Sequence, residues 1–481
     1  MRTSSLTVQT TSGLLTGTAE GGVRRFLGIP YAVPPVGDRR FAKPEPMDTP
    51  RDARTATGWG SAPPQSRSRL EDTMGPMPLC RQSEDCLQLN VWTPDRPGEG
   101  PWPVMVWIHG GGYLFGSAAT PWYDGSVLAK ENGVVVVTVG FRLGILGYYG
   151  DPGHGVANLG LEDQMLALDW IRHNIAAFGG AEDNITLAGQ SSGAHSIVAM
   201  ASVYAARREI PYHRMMLLSA PMGMGVPYAP ANASTPRVAG GLSLATLREL
   251  AAGQIIALQD EAVQAGHRWG KVAWPFQLCV DGNLLPTDPF ANVRFLEQAN
   301  LPLLVMWTTD EGATHFAPDE KVQDLSAAEV QGRLLSISPG YASAYEREVG
   351  RASGVPPVKV LADMIGDDMY TAGSLMLVDR RHANEVPTVA LVFNVKSDAY
   401  GGRLGAGHAT DLPYVFGNYN DWKRAPSLTG ISSAEFDELS RKLRARLEDF
   451  MRTPAGDVGS TGSATADELS RNGWTTHALL N

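Results

Sequence analysis

Residues 188–196 read AGQSSGAHS. Within them Gly189-Gln190-Ser191-Ser192-Gly193 has the form G-x-S-x-G, in which a serine stands at the apex of a sharp strand-to-helix turn and its hydroxyl is presented as a nucleophile. The register picks the residue. Glycines lie two before and two after Ser191, whereas the same positions around Ser192 hold Gln190 and Ala194. Small neighbours are required because the apex is strained and the strand packs closely on the helix. Ser191 is the candidate nucleophile, and Ser192 is read as offering only its backbone N–H.

Attack by a serine on a carbonyl carbon puts negative charge on oxygen, and that charge needs donors fixed in advance. The run His109-Gly110-Gly111-Gly112-Tyr113 follows an apolar stretch and can bring backbone N–H groups close to a ligand. Gly111, Gly112 and Ser192 are the expected donors. An acid and a histidine should follow the serine in chain order. Thr308-Thr309-Asp310-Glu311-Gly312 offers two adjacent carboxylates, and spacing leaves both open. Of His315, His382, His408 and His477, His408 is chosen, because it lies in the glycine-rich GGRLGAGHATDLPYVFGN after a strand-like run. His315 follows the acid too closely to come from a separate loop, and His382 reads as a surface residue. His195, four residues past Ser191, is read as a packed or hydrogen-bonded helix residue.

The elements that must carry these groups are legible as alternating apolar runs and helical periods. Residues 104–108 (VMVWI), 134–139 (VVVVTV), 184–188, 215–218, 303–307 and 389–393 have strand length. Leu161, Met165, Leu168, Ile171, Ile175 and Phe178 recur at spacings of three and four, the mark of one helix face. LTVQTTSGLLTGTAE reads as a hairpin and AHSIVAMASVYA as a helix. Strands alternating with helices predict a mostly parallel sheet covered on both faces. Residues 60–80 are expected to form a long surface loop, 222–270 a lid, and 454–470 a mobile loop. With no clear linker, residues 1–481 are taken as one domain.

The chain has 481 residues, a formal net charge of −10 and no basic run, which argues against a nucleic-acid partner. No stretch approaches a membrane span, and the first residues lack the apolar core of a secretory leader. Three cysteines, Cys80, Cys86 and Cys279, are too few for a disulfide scaffold, and no metal-binding spacing occurs. Reduced thiols and a cytoplasmic location are expected, with no metal or organic cofactor.

Beyond these single motifs, FLGIPYAVPPVGDRRF, SEDCLQLNVWTP, HGGGY, NLGLEDQMLALDWIRHNIAAFGG, GQSSG, VDGNLLPTDP, TTDEG and GHATDLPYVFGN together resemble the type-B carboxylesterases. That group includes the cholinesterases and the bacterial p-nitrobenzyl esterases, and the likeness runs over most of the chain. The resemblance implies an α/β-hydrolase fold with lid-like insertions. It implies a serine ester hydrolase with Ser191, Glu311 and His408 as triad and Gly111, Gly112 and Ser192 as oxyanion donors. It also places Ser219 behind the glutamate. Three departures stand out. Gln190 replaces the glutamate common beside the nucleophile. The loop RLEDTMGPMPLCRQ lacks the aromatic ring that binds quaternary ammonium in cholinesterases. And Ala62-Pro63-Pro64-Gln65 stands where the family usually has the cysteine that pairs with that of SEDC, so Cys86 has only Cys80 as a partner or stays free. The expected substrates are small to medium, neutral or apolar esters rather than choline esters. Trp307 and Phe316 are read as pocket wall or core. An acyltransferase or cyclising enzyme would use the same triad. A non-catalytic binding module of this fold, as in the neuroligins, is opposed by the intact Ser191, Glu311 and His408.

Overall fold

A computed structural model describes residues 4–478, apart from 48–50, 79–80, 97, 152–153, 224–240, 267–274, 292, 294, 297–300, 337, 455–456, 459–464 and 472. Its strands are β1 (Ser4–Thr10), β2 (Gly13–Glu20), β3 (Val23–Pro30), β4 (Arg51–Thr55), β5 (Gln88–Pro94), β6 (Trp102–Ile108), β7 (Val135–Val139), β8 (Gly180–Gln190), β9 (Arg214–Leu218), β10 (Leu303–Thr308), β11 (Thr388–Asn394), β12 (Thr465–Ser470) and β13 (Gly473–Ala478). They form one sheet in the order β1-β2-β3-β5-β7-β6-β8-β9-β10-β11-β12-β13, with β4 alongside β2. The expected hairpin is β1 and β2. From β7 to β12 every neighbouring pair runs parallel.

The interior strands are apolar at every position because both faces are buried. On β6, Val104, Val106 and Ile108 pack into one core and Met105 and Trp107 into another. Helices α1 (Leu159–Asn174) and α2 (Ser192–Arg207) cover the first face through Leu161, Leu168, Ile171, Ile197 and Met200. Further along the chain come α3 (Pro357–Gly366), the short α4 (Leu412–Phe416) and α5 (Ser433–Arg452). The second face is covered by α4 and α5, through Leu412, Phe416, Phe436, Leu443 and Leu447. All the parallel strands end at one edge of the sheet, where loops from different strands converge.

Two expectations are corrected, for residues 60–80 and 454–470. Residues 60–80 are not wholly a surface loop: Ala62–Gln65 are buried, and the Gln65 amide donates to Gly116 O and accepts from Gly116 N at 2.9 and 2.8 Å. The prolines there are rigid packing, not solvent-facing turn residues. The stretch 454–470 is not all a mobile loop, because Thr465–Ser470 is β12, held parallel to β11 by the ladder despite its weak intrinsic strand preference. Trp307 and Phe316 are both buried in apolar clusters. Of the expected lid, residues 224–240 and 267–270 lie outside the described residues. The rest includes two helices, Leu244–Glu249 and Ala252–Gly266. Both are tied to the body, by Arg40 donating to Leu247 O and by Ile145 N donating to Gln259 Oε1. Cys80 also lies outside the described residues. Cys86 is buried, and burial pushes its thiol pKa up.

Candidate active site

β8 runs straight into Ser191, whose φ of 54° and ψ of −127° are unfavourable for a residue with a side chain, and α2 starts at Ser192. The turn is held by Ser191 N donating to Leu218 O at 2.9 Å and by close packing at Gly193. A Cβ on Gly193 would stand 2.1 Å from Ile108 O. The elbow read from the sequence is therefore present, and its second glycine is required by the approach of α2 to the end of β6.

The glycine loop leaves the same end of β6. Gly111 has a φ of 124°, and a Cβ there would lie 1.9 Å from Phe115 O. Among the described residues, the N–H groups of Gly111, Gly112 and Ser192 have no hydrogen-bond acceptor. Gly110 packs against the elbow, since a Cβ on it would be 3.0 Å from Ser191 Cβ. The three uncommitted N–H groups thus lie on the two segments that flank Ser191, the loop that starts at Gly110 and the start of α2.

The two adjacent carboxylates diverge. Asp310 turns outward, accepts from Ala406 N at 3.0 Å and faces Lys359 and Lys396 at 3.6 and 3.5 Å. Glu311 turns inward, is buried, and accepts from Thr308 N at 2.9 Å through Oε1. Its Oε2 lies 2.6 Å from His408 Nδ1. A carboxylate only accepts, so the proton is on Nδ1 and the lone pair of His408 is on Nε2. The Gln190 amide donates to that lone pair at 3.1 Å. Gln190 directly precedes Ser191, so the imidazole meets the chain one residue before the candidate nucleophile. Among the described residues no hydrogen bond joins Ser191 Oγ to His408, a common state for a free enzyme.

The His408 ring is fixed further by stacking on Tyr370, with centroids 4.4 Å apart, and by Thr314 Oγ1 donating to His408 O at 3.1 Å. Neither residue was singled out in the sequence, since each arrives from a helical segment with no motif of its own. Asp411, three residues beyond His408, was also missed. It is fully buried, and its pKa is pushed up to about 7 by burial and then by the Glu311 carboxylate. Burial lowers His109 to about 4, so its ring, stacked on Phe141, is neutral.

Other expectations resolve less favourably. Among the described residues no hydrogen bond joins Ser219 to Glu311: Glu311 accepts from Thr308 N and pairs with His408, and Ser219 Oγ has no partner there. Gln190, expected with Ser219 to support the catalytic groups from behind, touches the imidazole directly. His195 is buried against Tyr113 and Phe290, as read from the sequence. His382 is half-buried on its helix, and His477 is on the edge strand β13, away from the strand ends that carry the site. Among the described residues no three His, Cys, Asp or Glu side chains gather as a metal ion requires, and no helix is long and apolar enough to cross a membrane.

Comparison with known proteins agrees with this geometry. Residues 4–458 match the model of the carboxylesterase family. The chain is 35% identical to the phenmedipham hydrolase of Pseudarthrobacter oxydans, over 96% of this chain and 91% of that protein. It is 32% identical to the para-nitrobenzyl esterase of Bacillus subtilis (strain 168), over 93% of this chain and 89% of that protein. A solved PNB esterase structure superposes with a TM-score of 0.82 at 29% identity, covering 98% of this chain and 97% of the other.

Proposed function

The chain belongs to the carboxylesterase family, and from that premise we propose how this serine ester hydrolase of the α/β-hydrolase fold works. His408 Nε2 exchanges the Gln190 amide for Ser191 Oγ and takes its proton as the oxygen attacks the ester carbonyl. Glu311 keeps Nδ1 protonated, fixes the ring and stabilises the imidazolium. The N–H groups of Gly111, Gly112 and Ser192 receive the oxyanion, each worth on the order of 10²–10³ in rate in comparable hydrolases. The protonated His408 then gives its proton to the leaving alcohol. Water repeats the sequence on the acyl-enzyme, with His408 again as base.

One observation supports the reading: the 2.6 Å pairing of His408 Nδ1 with Glu311 Oε2 leaves Nε2 facing the Gln190 amide at 3.1 Å, one residue before Ser191. Small to medium, neutral or apolar esters are the proposed substrates. A neutral amide stands at Gln190 where a carboxylate is common, and the loop before SEDC has no aromatic ring, so both the charge beside the nucleophile and the ring that would hold a quaternary ammonium are missing. A para-nitrobenzyl ester, named for one relative, is a fitting trial compound. The proposal includes one domain over 1–481 with 222–270 as lid, a cytoplasmic location, and no nucleic-acid or membrane partner. The test is hydrolysis of p-nitrophenyl esters from acetate to decanoate by wild type and Ser191→Ala. A rate that peaks at one chain length and vanishes in the variant supports the reading. Equal turnover by both proteins overturns it.

A further inference from the structure

The three oxyanion donors come from two separate elements. Gly111 and Gly112 belong to the loop after β6, and Ser192 opens α2. Their spacing matters, because donors serve only at about 2.7–3.1 Å from the position of the oxyanion. Contact at Gly193 fixes one side of the gap, where the end of β6 meets the helix. The far end of the loop needs its own restraint. There Gly112 and Tyr113 both have positive φ, 60° and 63°. Tyrosine is disfavoured in that region, so its surroundings must hold it there.

Two contacts do so. Gly144 N donates to Tyr113 O at 2.7 Å, and the Tyr113 phenol is hydrogen-bonded to His195 Nδ1 at 2.6 Å. His195 lies on the first turn of α2, with its N–H donating to Ser191 O at 2.9 Å. Its ring is fully buried and stacked on Phe290, with centroids 3.9 Å apart and planes within 7°. Tyr113 is 1% exposed and packs on Tyr148 at 4.6 Å. A buried, short, polar contact therefore links the residue after Gly112 to the turn that begins at Ser192.

We propose that Tyr113 and His195 form a tether that sets the width of the oxyanion hole, with both as positioning residues. This rests on Gly111, Gly112 and Ser192 being the oxyanion donors. Without the phenol–imidazole contact, the loop and the helix end are free to part, and the donors no longer converge on one point. Ground-state binding of the ester is little affected, because its carbonyl oxygen carries little charge before attack.

The test uses the full chain as wild type, Tyr113→Phe, His195→Phe and the double variant. Phenylalanine keeps an aromatic ring at either position and removes the phenol–imidazole contact. Each protein is assayed on a p-nitrophenyl ester and titrated with a trifluoromethyl ketone of the same acyl chain. Ser191 Oγ adds to the ketone carbon, its proton passes to His408, and the former carbonyl oxygen becomes the anion in the hole. The tether predicts that each single variant lowers kcat about 10-fold and weakens the ketone by the same factor, with KM within about twofold. The double variant should be no worse than the poorer single, since the pair acts as a unit. His195→Gln, which can still bond the phenol, should recover most of the loss. Unchanged ketone affinity in the single variants, whatever happens to their Tm, overturns the tether and leaves the esterase reading standing, as does a double variant that loses the product of the two factors. If the wild type hydrolyses the ester but binds the ketone no more tightly than that substrate, the oxyanion reading itself fails and the tether with it.

Discussion

Asp411→Asn should change the pH dependence of stability by an amount the structure sets. The Asp411 carboxyl is fully buried and sits at about pKa 7, raised by burial and by the Glu311 carboxylate. In the unfolded chain it titrates near about 3.9. Between those values the folded protein keeps a proton that the unfolded chain has lost, so folding becomes less favourable as pH rises from about 4 to about 7. The full difference of about three units is about 4 kcal/mol at 1.36 kcal/mol per unit. About 1.5 kcal/mol is already lost at pH 5 and nearly all of it at pH 8, leaving about 2.5 kcal/mol between the two. Asparagine has the same shape and does not titrate. Any fixed cost of the amide is equal at both pH values and drops out of the comparison. Urea denaturation of both proteins at pH 5 and pH 8 measures this directly. The variant should gain about 2.5 kcal/mol on the wild type between pH 5 and pH 8. An equal stability difference at both pH values would show that Asp411 does not hold a proton in the folded state, and the reasoning would fail.

Other residues give further expectations. Gln190→Glu places a carboxylate at the imidazole Nε2, favours the imidazolium, and should move the acid limb of kcat/KM upward by about one unit or more. A pH–rate profile that superposes on wild type would refute the contact seen at 3.1 Å. Glu311→Gln removes the acceptor for Nδ1–H, and kcat should fall by roughly 10³–10⁴, with Asp310→Asn far milder because its side chain faces Lys359 and Lys396. Comparable losses in the two variants would reverse that assignment. Asp163→Ala strands the Arg142 guanidinium, 3% exposed and bonded to Asp163 at 2.7 and 2.9 Å, and should cost about 3–5 kcal/mol in chemical denaturation. A loss under about 1 kcal/mol would mean that water or another residue takes over the arginine.

The parts of the site legible in the sequence are those where backbone geometry restricts residue type. Only small residues fit around the Ser191 turn and at Gly111, so their spacing marks the nucleophile and the oxyanion loop. His408 was found by its place after an apolar strand, which is a statement about topology. The choice between Asp310 and Glu311 was not available from spacing, because adjacent residues diverge and only the folded loops show which turns inward. Tyr370, Thr314 and Asp411 reach His408 from segments without local signals, so tertiary packing alone reveals them. The role given to Ser219 was carried across without its geometry, and no hydrogen bond to Glu311 accompanies it among the described residues. The error at β12 has a similar root: TADELS is a poor strand by composition, and pairing with β11 decides its state.

Active-site labelling with a fluorophosphonate probe followed by peptide mapping shows directly whether Ser191 is the nucleophile. One phosphonylated residue, Ser191, is expected, with labelling and ester turnover lost together in Ser191→Ala. Label on Ser192 or any other residue, or a Ser191→Ala protein that keeps both label and turnover, would contradict it.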